Sequence, residues 1–328
     1  MAVFRTSIAL ATYQGARYLG QQLESYLTQT RVPDELVVSD EHSTDETAAI
    51  VNEFSKKAPF PVTFVLNKGK RGIRWNFENA VLNCSNEIIL FSDQDDVWLP
   101  QHVERLAAML ESDERVLAVS SNSEIVDEDL SKKGYTFSQS QRYPRRLQEA
   151  VMRFPKNQLE LIARQRILAG HGLAFRKSLL PLLVPFSANC LHDCWVYMLA
   201  ASIGKVAYIS EPLTLYRTHA SQTMGGNKEP VQSVAERLRK NSKTADESPA
   251  WQDILDRLRR SPELAEDFAY SERLLAEKLE FVRWRTRNRR GNLPQRALGA
   301  SIELVRRKYH RLGRGFTTFG RDIYGNAE

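Results

Sequence analysis

Three carboxylates crowd one turn of this chain: Asp93-Gln94-Asp95-Asp96 follows directly on the apolar run Glu87–Ser92. A run of that length and β-branched content, bounded by polar residues, reads as a buried strand. In an open α/β sheet the carboxyl ends of strands are where ligands bind. Carboxylates packed there repel one another unless a cation sits among them. Mg²⁺ and Mn²⁺ suit such a cluster, because these hard ions take carboxylates and keep positions for phosphate oxygens. The other reading of the tetrad is a solvated Asp-rich turn, with Asp96 capping the following helix.

The elements around it alternate. Thr6–Thr12 reads as a strand, and Leu19, Leu23 and Leu27 mark one face of a helix. Strands are expected at 35–39, 62–66, 87–92 and 116–120. Between them come helices capped by Ser43 or Thr44, over 75–82, and opened by Pro100. This alternation indicates a doubly wound α/β domain. The polar stretch 122–155 reads as a mobile insertion near the site. Further strands are expected at 172–176, 206–209 and 213–216, with a helix over 193–203 ended by Gly204 as its C′ residue. Beyond Val231 the pattern is helical, and Leu264, Phe268, Leu275, Leu279 and Val282 mark one long helix face.

At 328 residues and 26% charged, the composition is that of a soluble globular protein. No stretch approaches a membrane span, and Tyr13-Gln14-Gly15 interrupts any signal-peptide core, so a cytoplasmic location is expected. Cys84, Cys190 and Cys194 form no disulfide framework. A zinc clip at 190–194 lacks a complete ligand set, which leaves buried apolar thiols. The net charge of +6 is uneven: residues 231–328 carry 21 Lys+Arg against 14 Asp+Glu, the rest 25 against 26. This places a boundary near Gly225-Gly226-Asn227, between a domain over 1–225 and a basic helical region over 226–328. P-loop and GxGxxG spacings are both absent, so any nucleotide is held in another way.

Four segments, joined by a fifth, give the chain a familiar outline. They are Ala11-Thr12-Tyr13-Gln14-Gly15, Ser39-Asp40-Glu41-His42-Ser43-Thr44-Asp45, Phe91-Ser92-Asp93-Gln94-Asp95-Asp96-Val97-Trp98 and His192-Asp193-Cys194-Trp195. Glu211-Pro212-Leu213 through Tyr216-Arg217-Thr218-His219 closes the series. In this order and spacing, over about the first 225 residues, the chain resembles the inverting family 2 glycosyltransferases, especially the rhamnosyltransferase-like branch that builds bacterial surface polysaccharides. The resemblance implies a GT-A fold, a Rossmann-like α/β/α sandwich with a mixed sheet, here with a C-terminal helical extension.

It also assigns roles. Thr12 and Tyr13 would line the nucleotide pocket through backbone groups, Asp40 would accept a hydrogen bond from the base, and Glu41 would face ribose or base. Asp93 and Asp95 match the DxD motif, with Asp95 on the metal, Asp93 on the ribose or metal, and Asp96 supporting the site or reaching the sugar. His219 either completes the metal sphere or is structural. Asp193 would be the general base that deprotonates the acceptor hydroxyl; it is also placed to cap its helix. His171 would lie by the acceptor or donor sugar, and Trp98 and Trp195 either stack on sugar faces or pack in the core. The implied reaction moves one sugar, L-rhamnose from dTDP-L-rhamnose for the branch resembled, to a glycan or lipid-linked glycan.

Departures from the family pattern are Gln14 in place of Asn, and Glu41-His42 where Asp-Gly is usual, which bear on base recognition. The processive QxxRW motif is missing. From Phe281 to Arg314 there are eleven Lys+Arg and one acid, Glu303, interleaved with apolar residues. Such a stretch attaches to the inner face of the membrane as a basic amphipathic helix, or docks on its own catalytic domain. A non-catalytic carbohydrate-binding relative is the alternative function. Nucleic-acid binding, suggested by the Arg-rich tail, conflicts with a neutral body and an acidic cleft.

Overall fold

The computed structural model describes residues 3–141, 143–153, 158–164, 170–220, 222 and 246–324. The chain divides into two compact units, Met1–Pro155 with Ile167–Asn227, and Lys156–Arg166 with Lys228–Glu328. The stretch Lys156–Arg166, which the sequence assigns to the first domain, therefore groups with the second unit.

In the first unit the order is β1 (Thr6–Thr12), α1 (Ala16–Leu27), β2 (Glu35–Asp40), α2 (Thr47–Ser55), β3 (Val62–Leu66), α3 (Ile73–Asn83), β4 (Ile88–Asp93), β5 (Val97–Trp98), α4 (His102–Ser112), β6 (Val116–Val126) and β7 (Lys132–Thr136). Then come α5 (Phe137–Ser140), α6 (Arg145–Met152), β8 (Leu173–Arg176), two short helical turns over Lys177–Leu179 and Leu180–Leu183, the helix His192–Ile203, and β9 (Lys205–Arg217). The sheet runs β3-β2-β1-β4-β8-β6-β9-β5, with β7 paired to β6. Strands β1 to β4 are parallel, whereas β8 is antiparallel to both β4 and β6, which makes the sheet mixed. Every residue of β1 is buried, as a central strand covered on both faces requires.

Register explains where chemistry collects. Thr12 lies opposite Asp40, and Ala11 opposite Asp93, so β1, β2 and β4 end together on one edge. Strand β9 runs parallel to β6 and carries the chain to Arg217, opposite Val126.

Several sequence expectations shift. Helix α2 starts at Thr47 because Ser43 is spent on Asp40, which accepts both its amide and its hydroxyl at 2.7 Å, while Thr44 Oγ1 accepts from the Gln14 side-chain Nε2. Helix α4 begins at His102, two residues after Pro100. The stretch 122–155 is not an irregular insertion: β6 continues to Val126, and β7, α5 and α6 follow. The two short strands expected at 206–216 are the single strand β9, whose register against β6 shifts around Asn122. Gly204 ends its helix with extended backbone, φ −161°, so it is no left-handed cap. A Cβ there would stand 2.7 Å from Leu117 Cδ1 and 3.0 Å from the Arg115 carbonyl oxygen, which accounts for the glycine. All three cysteines are buried thiols, none of them in a disulfide.

The second unit is helical, with Gln158–Arg164, Ser248–Arg259, Phe268–Asn288, Leu293–Val305, Lys308–Leu312 and Phe316–Tyr324. The expected face of the long helix holds at Leu275, Leu279 and Val282, which are buried. Leu264 falls in the preceding turn and is exposed, because Asp267 caps the helix by accepting the Tyr270 amide. At the centre of this unit Asp322, fully buried, accepts hydrogen bonds from Arg285, Arg289 and Tyr309. That full set of partners is what makes a buried carboxylate tolerable. The boundary glycines and residues 223–245 lie outside the described residues.

Candidate active site

The turn after β4 separates its three carboxylates by environment. Asp93, partly exposed, has its carboxyl pushed up to about 8, first by desolvation and then by the charges of Asp95 and Asp193. Asp96 is buried, its carboxyl raised well above the usual range by burial and by Asp95 and Asp93. One of its oxygens accepts the Arg217 amide at 3.0 Å, and the other has no partner among the described residues. Asp96 therefore supports the turn from behind and does not reach a sugar. Asp95 points to His219, with Oδ2 and Nε2 2.9 Å apart.

Arg217, which the sequence reading quoted but gave no task, holds the turn together. It is 1% exposed, and its Nε donates to the Asp95 carbonyl at 2.7 Å. The other guanidinium nitrogens donate to the Glu128 carbonyl and, at 2.6 Å, to Gln21 Oε1, while Tyr18 covers its face at 4.6 Å. In the sequence its only signal is an arginine ending the apolar run Leu213–Tyr216; the acids it serves lie about 120 residues away.

The nucleotide-side residues are rearranged relative to expectation. Asp40 is 2% exposed and accepts three hydrogen bonds, from Thr12 Oγ1 at 2.8 Å and from the Ser43 amide and hydroxyl. It fixes the ends of β1 and β2, and its Oδ2 carries one of these bonds. The Thr12 carbonyl is likewise taken, by the Glu41 amide and by Asn76 Nδ2, both at 2.9 Å. Tyr13 has its amide and carbonyl clamped by the Gln94 side chain, each at 2.9 Å, so its exposed ring is what faces out. Glu41 stays partly exposed, with Oε1 accepting the Gly72 amide at 2.5 Å. That leaves Glu41 and the Tyr13 ring as the open groups on this side.

Gln94 is the second residue that sequence reasoning missed. It ties the loop after β1 to the acidic turn, and Gly15 exists to admit it, since a Cβ there would stand 2.3 Å from Gln94 Oε1. Removing the clamp should free the Tyr13 amide. We expect Gln94→Ala to speed hydrogen exchange at Tyr13 by roughly tenfold, from a hydrogen bond worth about 1 kcal/mol and the loosened loop. An unchanged exchange rate would show that the loop is held by other contacts.

Asp193 is the second residue of the helix His192–Ile203, whose N-cap is Leu191, so it does not cap the helix. Its Oδ1 accepts the Cys194 amide at 2.7 Å and its Oδ2 the Gly170 amide at 3.2 Å. These two bonds fix the orientation of the carboxylate at the start of the helix. Its negative charge acts on Asp93, which puts the two carboxylates in one site.

Three expected sugar contacts are withdrawn by burial. Trp98 is 2% exposed, stacked on His102 at 3.9 Å and against Tyr26. Trp195 is 1% exposed and donates its Nε1 hydrogen to the Leu183 carbonyl at 2.8 Å. His171 is buried between Phe137 and Tyr216, and burial lowers its pKa to about 3, so it is a neutral packing ring. All three belong to the core.

The donor set suits a divalent ion. Asp93 and Asp96, whose carboxyls are raised by burial and by neighbouring negative charge, are the chemistry a cation would relieve. Among the described residues no three His, Cys, Asp or Glu side chains surround one point. The pair Asp95 and His219 therefore fits an ion that takes its remaining ligands from phosphate and water, as Mg²⁺ commonly does.

A mixed sheet of this order, with an acidic turn at the end of β4 and helices after it, is the GT-A glycosyltransferase fold. The crystal structure of S. aureus TarS 1-349 in complex with UDP-GlcNAc superposes with a TM-score of 0.53 at 16% identity, over 83% of this chain and 71% of that one. The mannosyltransferase PcManGT of Pyrobaculum calidifontis, in complex with GDP-Man and Mn²⁺, gives 0.52 at 18% identity, over 98% and 86%. Both likenesses establish the fold. In sequence, the dTDP-rhamnosyl transferase RfbG of Shigella flexneri is 25% identical over 66% of this chain and 74% of its own length. An uncharacterized glycosyltransferase of Nostoc is 24% identical over 66% of each. The profile of glycosyl transferase family 2 matches residues 7–181, and the chain belongs to that family.

Proposed function

We propose that this glycosyltransferase moves one sugar from a nucleoside-diphosphate donor to a glycan hydroxyl with inversion. The observation that carries the reading is the meeting of the Asp95–His219 pair, the desolvated Asp93 and the helix-borne Asp193 at one sheet edge. Asp193 takes the proton of the acceptor hydroxyl. The freed oxygen forms a bond to the anomeric carbon as the bond to the diphosphate breaks on the opposite face, and the electron pair leaves with the diphosphate. A bound Mg²⁺ or Mn²⁺, held by Asp95 and His219, would stabilise the charge gathering on that leaving group. Asp93 faces the same group and orients the donor.

The donor we infer is dTDP-L-rhamnose, supported by the Shigella flexneri relative, a dTDP-rhamnosyl transferase, and the acceptor a glycan or lipid-linked glycan of a bacterial surface polysaccharide. The Escherichia coli relative described as a UDP-Glc:alpha-D-GlcNAc-diphosphoundecaprenol beta-1,3-glucosyltransferase supports a lipid-linked acceptor. We read 1–225 as the catalytic domain and 226–328 as a region that attaches it to the inner membrane face. Among the described residues no helix is long and apolar enough to cross a membrane.

A thermal-shift screen of nucleotide sugars, with Mn²⁺ and with chelator, tests the reading. dTDP-L-rhamnose should raise the melting midpoint only with metal, since a ligand selective for the folded state stabilises it by mass action. A larger shift with another nucleotide sugar would replace the donor. No shift with any of them would sink the catalytic reading.

A further inference from the structure

The helix Leu293–Val305 carries an aliphatic stripe that its own unit leaves uncovered. Leu298, Ile302 and Val305, four and three residues apart, share one face and are 67%, 45% and 84% exposed. Ala300, on the opposite side, is fully buried, so the helix packs by that face and turns the stripe outward. Leu293 and Phe316 are also exposed.

The charges nearby have one sign. Between Phe281 and Tyr324 the only acids are Glu303 and Asp322, and both are buried. Asp322 is matched by Arg285 and Arg289, and Glu303 by Arg306 at 2.9 Å and Lys308 at 3.0 Å. Arg306, Arg307 and Arg314, just beyond the stripe in sequence, are exposed. The stretch Phe281–Tyr324 thus combines bare aliphatic side chains with cations and contains no exposed carboxylate. A second copy of the chain would set these cations against their like. An anionic lipid surface answers both features, phosphates to the arginines and acyl chains to the stripe.

We propose that Leu298, Ile302 and Val305 insert into an anionic bilayer, with Arg306 and Arg307 at the level of the lipid phosphates. This rests on the reading of residues 226–328 as a membrane-attaching region, and adds that attachment is by insertion of a particular helix face. It predicts binding that high salt weakens without abolishing, because the aliphatic contribution is not screened.

The test is cosedimentation of the full chain with vesicles of phosphatidylcholine and phosphatidylglycerol, against vesicles of phosphatidylcholine alone. The full chain should bind the mixed vesicles, and Leu298→Glu with Val305→Glu should lower the partition coefficient by on the order of tenfold or more for each side chain. Undiminished binding of that double variant overturns insertion while leaving attachment by the basic region standing. No binding of the full chain to either vesicle removes both, whereas the nucleotide-sugar screen judges catalysis separately. Self-association of the chain that Val305→Glu abolishes would assign the face to a second copy, and would also overturn the proposal. Should the double variant not fold, Val305→Cys labelled with a polarity-sensitive fluorophore serves, as the native cysteines are buried. A blue shift on the mixed vesicles is expected, and its absence overturns insertion.

Discussion

Asp193→Asn is expected to bind the donor as the unaltered chain does and to transfer sugar about 10²–10⁴-fold more slowly, the usual worth of a positioned general base. The amide is close in size to the carboxylate. Its oxygen can still accept the Cys194 amide, but its NH₂ group then faces the Gly170 amide, so one of the two native bonds is lost. The local cost is about 1 kcal/mol, too little to unfold the unit. The loss should appear in kcat and kcat/KM together, because the proton is taken only as the new bond forms. Transfer within tenfold of the unaltered chain would remove Asp193 from the role of base. A matching loss of donor affinity would make it a binding residue.

Asp95→Ala should abolish metal-dependent donor binding and leave the fold intact. Without metal, Asp95 raises the pKa of both Asp93 and Asp96 by repulsion, so its removal relieves the apo protein. His219, whose side chain is 6% exposed, loses a 2.9 Å partner, a cost of about 1 kcal/mol set against the relieved repulsion. The melting midpoint without metal should therefore hold or rise. Donor with Mn²⁺, which at a hundredfold excess over Kd stabilises a folded protein by about 2.7 kcal/mol, should no longer shift it. A variant with undiminished metal dependence would show that the ion is held elsewhere.

The sheet and its active edge were legible because their signals are local. Apolar runs such as Ile88–Ser92 mark strands, and acids at their ends mark the site. What stayed hidden depends on contacts distant in sequence. Asp40 looks like a free acceptor until Thr12 and Ser43 close on it, and Trp98 looks like a sugar platform until His102 stacks on it. Arg217 shows its purpose only once β9 brings it beside a turn more than a hundred residues earlier. The stretch 122–155 reads as loop because its strand β7 is built of exposed polar residues, whose order comes from pairing with β6 and not from burial.

The contact between Gly15 and Gln94 has an evolutionary consequence. With Gln94 Oε1 2.3 Å from where a Cβ would stand, position 15 cannot gain a side chain unless Gln94 swings away and gives up its two bonds to the Tyr13 backbone. Among relatives of this chain, residues larger than glycine at the first position should therefore appear with side chains shorter than glutamine at the second. The two sites should drift as a pair, a dependence that a family alignment would register as covariation between segments nearly eighty residues apart.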